Sequence, residues 1–393
     1  MDHNGSKNLS ILSNNSDTKA AIYIFTPAGF ETKLSLVLSM VIVGVVGFVG
    51  NSLILYFMSC KKQPNLVEKS LFMKNFNLYI RSLALSDVLC TAVSLPLTCI
   101  QISLDIFQNK WPCRIARYFN IVFPVITIHN LVVISIEKYF SLRRVPRPLS
   151  SSTVRKLISM AWFLGWGITL LPSATFKGIR YDINDTHFTV ICKYDKEYLP
   201  FRFMFLSFTV VEYVLPSIFL AVINASLIRT VWVTVKSRTA IDINNPIREK
   251  LRVAKIRGTS LLILITFAFI IPYFFYLGYV TYNMIAKPNI DFQTDFIIRY
   301  GSGVIALSNS AVNFAVYVVQ MKDFRMFLRK QFRCANTVDD RNNSFKTMQR
   351  ESVQGSTEVI NLQPREDLLK RIGSRKLGKA VNNENLNQSH VKL

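Results

Sequence analysis

Long uncharged runs alternate with short charged segments along the whole chain. Seven such runs stand out: 34–60, 82–104, 118–136, 157–176, 203–228, 258–286 and 300–321. Two of them are broken once by an acid, Asp87 in the second and Glu212 in the fifth. A membrane-spanning helix needs roughly 20 apolar residues, whereas apolar runs in buried core helices stop at roughly 10–14. The pattern therefore predicts an all-α membrane protein, a bundle of seven transmembrane helices. Beyond the seventh run, Met321, Phe324, Phe327, Leu328 and Phe332 follow i, i+3, i+4 spacing with basic residues between them. This spacing predicts an amphipathic eighth helix over 322–334, lying in the inner leaflet. Before the fifth run, Ile179–Ile183 and Phe188–Cys192 alternate around Asn184-Asp185-Thr186. That alternation about a turn cluster predicts a β-hairpin in the second extracellular loop, a lid over the bundle.

Composition agrees with the pattern. Half of the 393 residues are apolar and 18% are charged, against about 25% charged in soluble domains. Lys and Arg outnumber Asp and Glu by 47 to 24, a formal charge of +23. Cytoplasmic loops of membrane proteins carry the Lys/Arg excess. With the N-terminus outside, and the long C-terminal segment set aside, the cytoplasmic segments hold 19 Lys and Arg against 13 outside. The surplus thus reads as topology in a plasma-membrane protein, not as nucleic-acid binding. The same topology puts four glycosylation sequons outside, at Asn4, Asn8, Asn14 and Asn184. The first 33 residues lack a basic–apolar–small leader pattern, so helix 1 is expected to act as its own signal anchor. Four regions follow: an extracellular, glycosylated N-terminus (1–33), the bundle (34–321), the amphipathic helix (322–334) and a cytoplasmic tail (335–393). The tail is rich in Asn, Ser, Lys and Glu and is expected to be disordered.

Polar groups inside the spans carry the candidate chemistry, because ionisable residues there cost at least ~2.5 kcal/mol at mid-depth. Asp87 lies mid-helix, with Asn51, Thr127, Asn309, Ser310 and Asn313 on neighbouring spans. A carboxylate among amides and hydroxyls makes a hard-oxygen metal site suited to a small cation; the alternative is a structural hydrogen-bond network. Asn120, Gln101, Glu212 and Arg299 are candidate ligand contacts in a cavity open to the outside, with snorkelling to the headgroups as the alternative for Arg299. His129 reads as a packing histidine. Two of six cysteines, Cys113 and Cys192, fall on the outer side. In an oxidising compartment this leaves one disulfide, Cys113–Cys192. Cys334, at the end of the amphipathic helix, is a palmitoylation candidate.

This combination resembles the rhodopsin-like G-protein-coupled receptors, over residues 34–334. The resemblance rests on Gly50-Asn51 in helix 1, Leu83-Ala-Leu-Ser-Asp87 and Pro96 in helix 2, and Cys113 with Glu137-Lys138-Tyr139 in helix 3. It continues with Trp162 and Pro172, Pro216, Pro272, and Asn309-Ser-Ala-Val-Asn313-Phe-Ala-Val-Tyr317 in helices 4 to 7. It implies that Asp87 and its neighbours bind a sodium ion, and that Glu137, Lys138, Tyr139, Arg252 and Tyr317 serve G-protein coupling. Several positions depart from the family pattern. Lys138 stands for the usual Arg, keeping the charge but losing the planar fork. Ile270 replaces the aromatic switch residue, Asn224 a Tyr, and Phe314 a Pro. Arg252, where some relatives have an acid, would repel Lys138, so no ionic lock forms between them.

The seventh span has no Lys, which excludes a retinal Schiff base. The third span has Asn120 where amine receptors have Asp. The lid and the mixed charges of Glu212 and Arg299 resemble peptide receptors. The function expected is transduction of an extracellular ligand, a peptide, to heterotrimeric G proteins. Competing readings are a receptor-like protein that does not couple and an ion-coupled transporter; spans 1–3 and 4–6 show no internal repeat of the kind transporters carry. No phosphate loop, metal-spaced His/Cys cluster or nucleophile–base pair supports an enzyme, and no cofactor beyond sodium is expected. Further partners expected are membrane lipids and an arrestin-type protein at Ser and Thr residues between Thr337 and Thr357.

Overall fold

A computed structural model describes residues 21–60, 70–105, 109–142, 148–194, 197–236, 246–288 and 290–331. Asn4, Asn8, Asn14, Cys334 and the 335–393 segment lie outside the described residues. The membrane-length helices all lie in the unit Met1–Leu328.

Seven helices have membrane-spanning length and composition. They are α1 (Phe30–Cys60), α2 (Leu71–Ser103), α3 (Lys110–Leu142), α4 (Ser151–Ser173), α5 (Leu199–Lys236), α6 (Pro246–Ala286) and α7 (Phe292–Gln320). A short helix α8 follows over 322–331. Its Phe324 and Phe327 rings lie 5.3 Å from Phe57 of α1, so the predicted apolar stripe is packed against the bundle. Phe163, Phe203, Val222, Phe274 and Val319 are more than 60% exposed. Apolar side chains turned outward on so many helices are what a hydrocarbon solvent requires.

Most helices outrun the uncharged stretches. α7 starts at Phe292, eight residues before Tyr300, because Asp291 caps it by accepting the Thr294 N–H at 2.8 Å. Ser70 and Ser150 cap α2 and α4 in the same way. Charge ends a membrane run, but capping ends a helix. Two π-turns interrupt the spans, at Cys90–Ser94 in α2 and Val210–Val214 in α5. Each sits immediately before an X-Pro pair, where the N–H of Leu95 or Leu215 reaches five residues back. Proline has no N–H and its ring crowds the preceding turn, so the extra residue is absorbed there. α7 breaks at Ser308, not at Phe314. Phe314 instead lies against Gly50: a Cβ added to Gly50 would come within 2.3 Å of its ring.

The hairpin forms as expected, but with longer strands. β2 (Phe176–Asn184) and β3 (His187–Tyr194) pair antiparallel, Gly178 opposite Cys192. Phe176, read from hydropathy as the end of the fourth span, belongs to β2. A two-residue strand, β1 (Ile22–Tyr23), adds parallel to β3 and gives the order β1-β3-β2. No hydrophobic period marks β1 in the sequence. Cys113 at the start of α3 is bonded to Cys192 of β3. This ties the sheet over one end of the bundle, the lid end.

Candidate functional site

Three polar assemblies run through the bundle from the lid end to the opposite end. The first surrounds a cavity partly open to solvent. Its wall is largely aromatic: Phe176 from the lid, Phe205, Phe208 and Tyr213 from α5, Tyr273 and Tyr276 from α6. Asn120, Thr98, Arg117 and Arg299 supply polar groups. Two expected ligand contacts, Asn120 and Arg299, thus line the cavity. Arg299 does not snorkel; its side chain is 10% exposed and pairs with Asp295 one turn earlier. Asp295 also accepts the Tyr279 hydroxyl at 2.7 Å and Lys193 at 3.4 Å. Gln101 lies in a separate recess with Asp105 and Arg299, beneath Phe25 and Thr26.

Glu212 does not line the cavity. It sits in the π-turn of α5, 4% exposed, with its carboxylate 2.7 Å from His129 Nε2. The π-turn carries the acid toward α3, where a hydrogen-bonding partner offsets the cost of burial. His129 is therefore a partner of Glu212, and the pair links α3 to α5. Sequence reasoning missed Arg117, Lys193, Tyr279 and Asp295. Arg117 was legible only as a charge within the first turns of a span, and Asp295 only as the residue one helical turn before Arg299.

The second assembly lies mid-bundle. Ser310 donates to Asp87 Oδ1 at 3.0 Å and Asn313 to Oδ2 at 2.8 Å. Asn51 donates to the carbonyls of Gly47 and Ser310, both at 2.9 Å, joining α1 to α7. Gly47 and Gly50 permit this approach; a Cβ on Gly47 would meet Thr91 at 2.8 Å. Thr127 does not bond Asp87 but shares a 2.9 Å hydrogen bond with Ser86. The side-chain oxygens of Asn51, Asn309 and Asn313 are buried without a hydrogen-bond partner. Buried acceptors in that state carry a desolvation cost and are the ligand type a hard cation takes.

The third assembly is at the opposite end. Lys138 is fully buried, its ammonium 2.9 Å from Glu137 and 3.7 Å from the centre of the Phe72 ring. Glu137 accepts Ser141 at 2.7 Å and Asn75 at 3.4 Å. Arg252 pairs with Glu249 on its own helix at 3.7 Å. Tyr317 is fully buried in the core, and Tyr139 is half-buried.

A lidded cavity, a buried carboxylate network and a charged cluster stacked along seven spans define a membrane receptor. The chain belongs to the rhodopsin family of seven-transmembrane receptors, whose model matches residues 36–317. It is 24% identical over 311 residues to galanin receptor 2a of Danio rerio, covering 77% of this chain and 78% of that one. It is 31% identical over 196 residues to the RYamide receptor of Tribolium castaneum, 47% of each chain. It is 22% identical over 311 residues to the allatostatin-A receptor of Bombyx mori, covering 76% and 79%. It is therefore a multi-pass G-protein-coupled receptor with a lid disulfide, as the motif order across the spans implied.

Proposed function

We propose that this receptor binds a peptide at the lid end and passes the signal to a heterotrimeric G protein at the opposite end. The observation that carries the reading is the cavity: aromatic walls, two guanidinium groups and a disulfide-tied β-sheet above it. A peptide suits such a site, since its side chains take apolar subsites and its backbone takes an edge or polar rim. The similarity to receptors named for galanin, RYamide and allatostatin-A supports the same class.

In this reading the lid end faces outside, with the N-terminus there and the C-terminus in the cytosol at the plasma membrane. A disulfide is favoured in that compartment, and exposed Asn184 at the hairpin turn becomes available for glycosylation. Asp87, with Ser310 and the oxygens of Asn309 and Asn313, would hold a sodium ion; Asn51 and Thr127 would brace that network. Glu137, Lys138, Tyr139, Arg252 and Tyr317 would form the coupling end. The tail would dock an arrestin-type partner, and α8 would lie on membrane lipids, anchored further by palmitate on Cys334. GTP exchange on membranes from cells expressing the receptor, read across a peptide library, tests the proposal. A saturable response to at least one peptide is expected. Silence with every G-protein class, at confirmed surface expression, overturns it.

A further inference from the structure

The cavity wall has a charge imbalance that constrains what fills it. Two guanidinium side chains, Arg117 and Arg299, line the main cavity, and among the described residues no carboxylate does. Glu212, the acid that would have suited a cationic ligand, is turned to His129. In the adjoining recess Asp295 is a single acid serving Arg299, Lys193 and the Tyr279 hydroxyl. Two cations and a hydroxyl therefore share one acid there. Asp105, in the recess beyond, stands with Arg299 and away from Arg117.

Arg117 is the least satisfied of the group. It is 8% exposed, its Nη2 donates to the Cys192 carbonyl at 3.1 Å, and its guanidinium lies 5.5 Å from the Phe176 ring centre. Its Nε has no hydrogen-bond partner, and neither has the Nε of Arg299. A buried guanidinium with open donors is a fork built for a planar, two-oxygen anion. Both arginines sit seven residues toward the lid from deeper cavity residues, Pro124 on α3 and Ala306 on α7. At 1.5 Å per residue that is about 10 Å of depth, and Phe208, Tyr213 and Tyr273 fill the wall alongside.

We propose that the ligand enters apolar end first and is held by a carboxylate on Arg117 and Arg299, with an aromatic or aliphatic group in the aromatic box below. This rests on the peptide reading for the carboxylate's source, which would be a free C-terminus or an acidic side chain next to a large apolar residue. The carboxylate chemistry itself is shared with non-peptide aryl or alkyl acids.

The test measures thermal unfolding of the purified full-length receptor in detergent against four probes. These are N-acetyl-Phe-Phe as free acid, the same dipeptide as its amide, N-acetyl-Phe-Asp as its C-terminal amide, and 6-phenylhexanoate. Carboxylate probes are expected to raise the unfolding temperature saturably, with half-effect at about tenfold lower concentration for the acid than for the matched amide. Arg117→Gln should erase that preference while Arg117→Lys keeps part of it. An amide as effective as its acid, no saturable effect of any carboxylate, or an unchanged preference in Arg117→Gln overturns the proposal. The acid–amide comparison on the natural receptor stands even where the variants fail to fold. Binding of 6-phenylhexanoate without either acidic peptide keeps the carboxylate and removes the peptide. A peptide agonist with no acidic side chain that is equally potent as free acid and amide keeps the peptide and removes the carboxylate.

Discussion

At Gly50 a missing methyl group decides how two helices meet. Phe314 stands where the family pattern has proline, and its ring fills the space a side chain at 50 would need. Gly50→Ala is expected to cost ~1–3 kcal/mol through overpacking, read as a lower unfolding temperature in detergent. Gly167→Ala is the control: nothing lies within 4 Å of a Cβ there, so stability should hold or rise with helix propensity. Asp87 is the second residue whose surroundings set its effect. Asp87→Ala strands the donors of Ser310 and Asn313, a cost of ~1–3 kcal/mol for each buried group left unpaired. It should also abolish any sodium dependence of agonist affinity in radioligand competition; persistence of that dependence would remove Asp87 from the proposed cation site. The pairing of Asp87 with Ser310 and Asn313 was legible because i, i+3 and i, i+4 spacings put the helix 7 groups on one face. The Glu212–His129 pair was not, because a π-turn rotates the α5 face by one residue and hydropathy carries no trace of it.

Elements were set by two different rules. Apolar length fixed that seven helices exist, while caps and prolines fixed where they begin and bend. The Asp291 cap offers a pH test. The Thr294 N–H it accepts holds its carboxyl below the ordinary value of 3.8. Its contribution is thus complete above that ordinary value and is lost as pH falls through the lowered one. Asp291→Ala should lower stability at pH 7 and narrow the gap to the natural protein at about pH 3, measured as paired unfolding curves. The hairpin was legible from alternation about a turn, but its register was not, because a bulge between Asp182 and Asn184 shifts the pairing by one residue. β1 was not, because two residues carry no period; they become a strand only where the exposed edge of β3 offers partners.

On the scale of the whole molecule, the disulfide joins lid and bundle, the two parts that build the cavity. Arg117 donates to the carbonyl of Cys192, so the bond also positions the cavity's basic wall. Cys113→Ser should cost about 2–4 kcal/mol and weaken ligand responses more than surface expression, read as agonist potency against antibody labelling of intact cells. Equal losses would mean the bond serves folding alone.

Hydrophobic length and order alone determined that this chain forms seven spans, because oil–water partition depends on composition summed over a segment. Which polar groups meet inside was decided only by the packed bundle. Contacts such as Arg117 with the Cys192 carbonyl or Glu212 with His129 join residues 75 and 83 positions apart. They depend on helix rotation and on one-residue π-turns, quantities set by side-chain fit across helices and not by any local run of sequence.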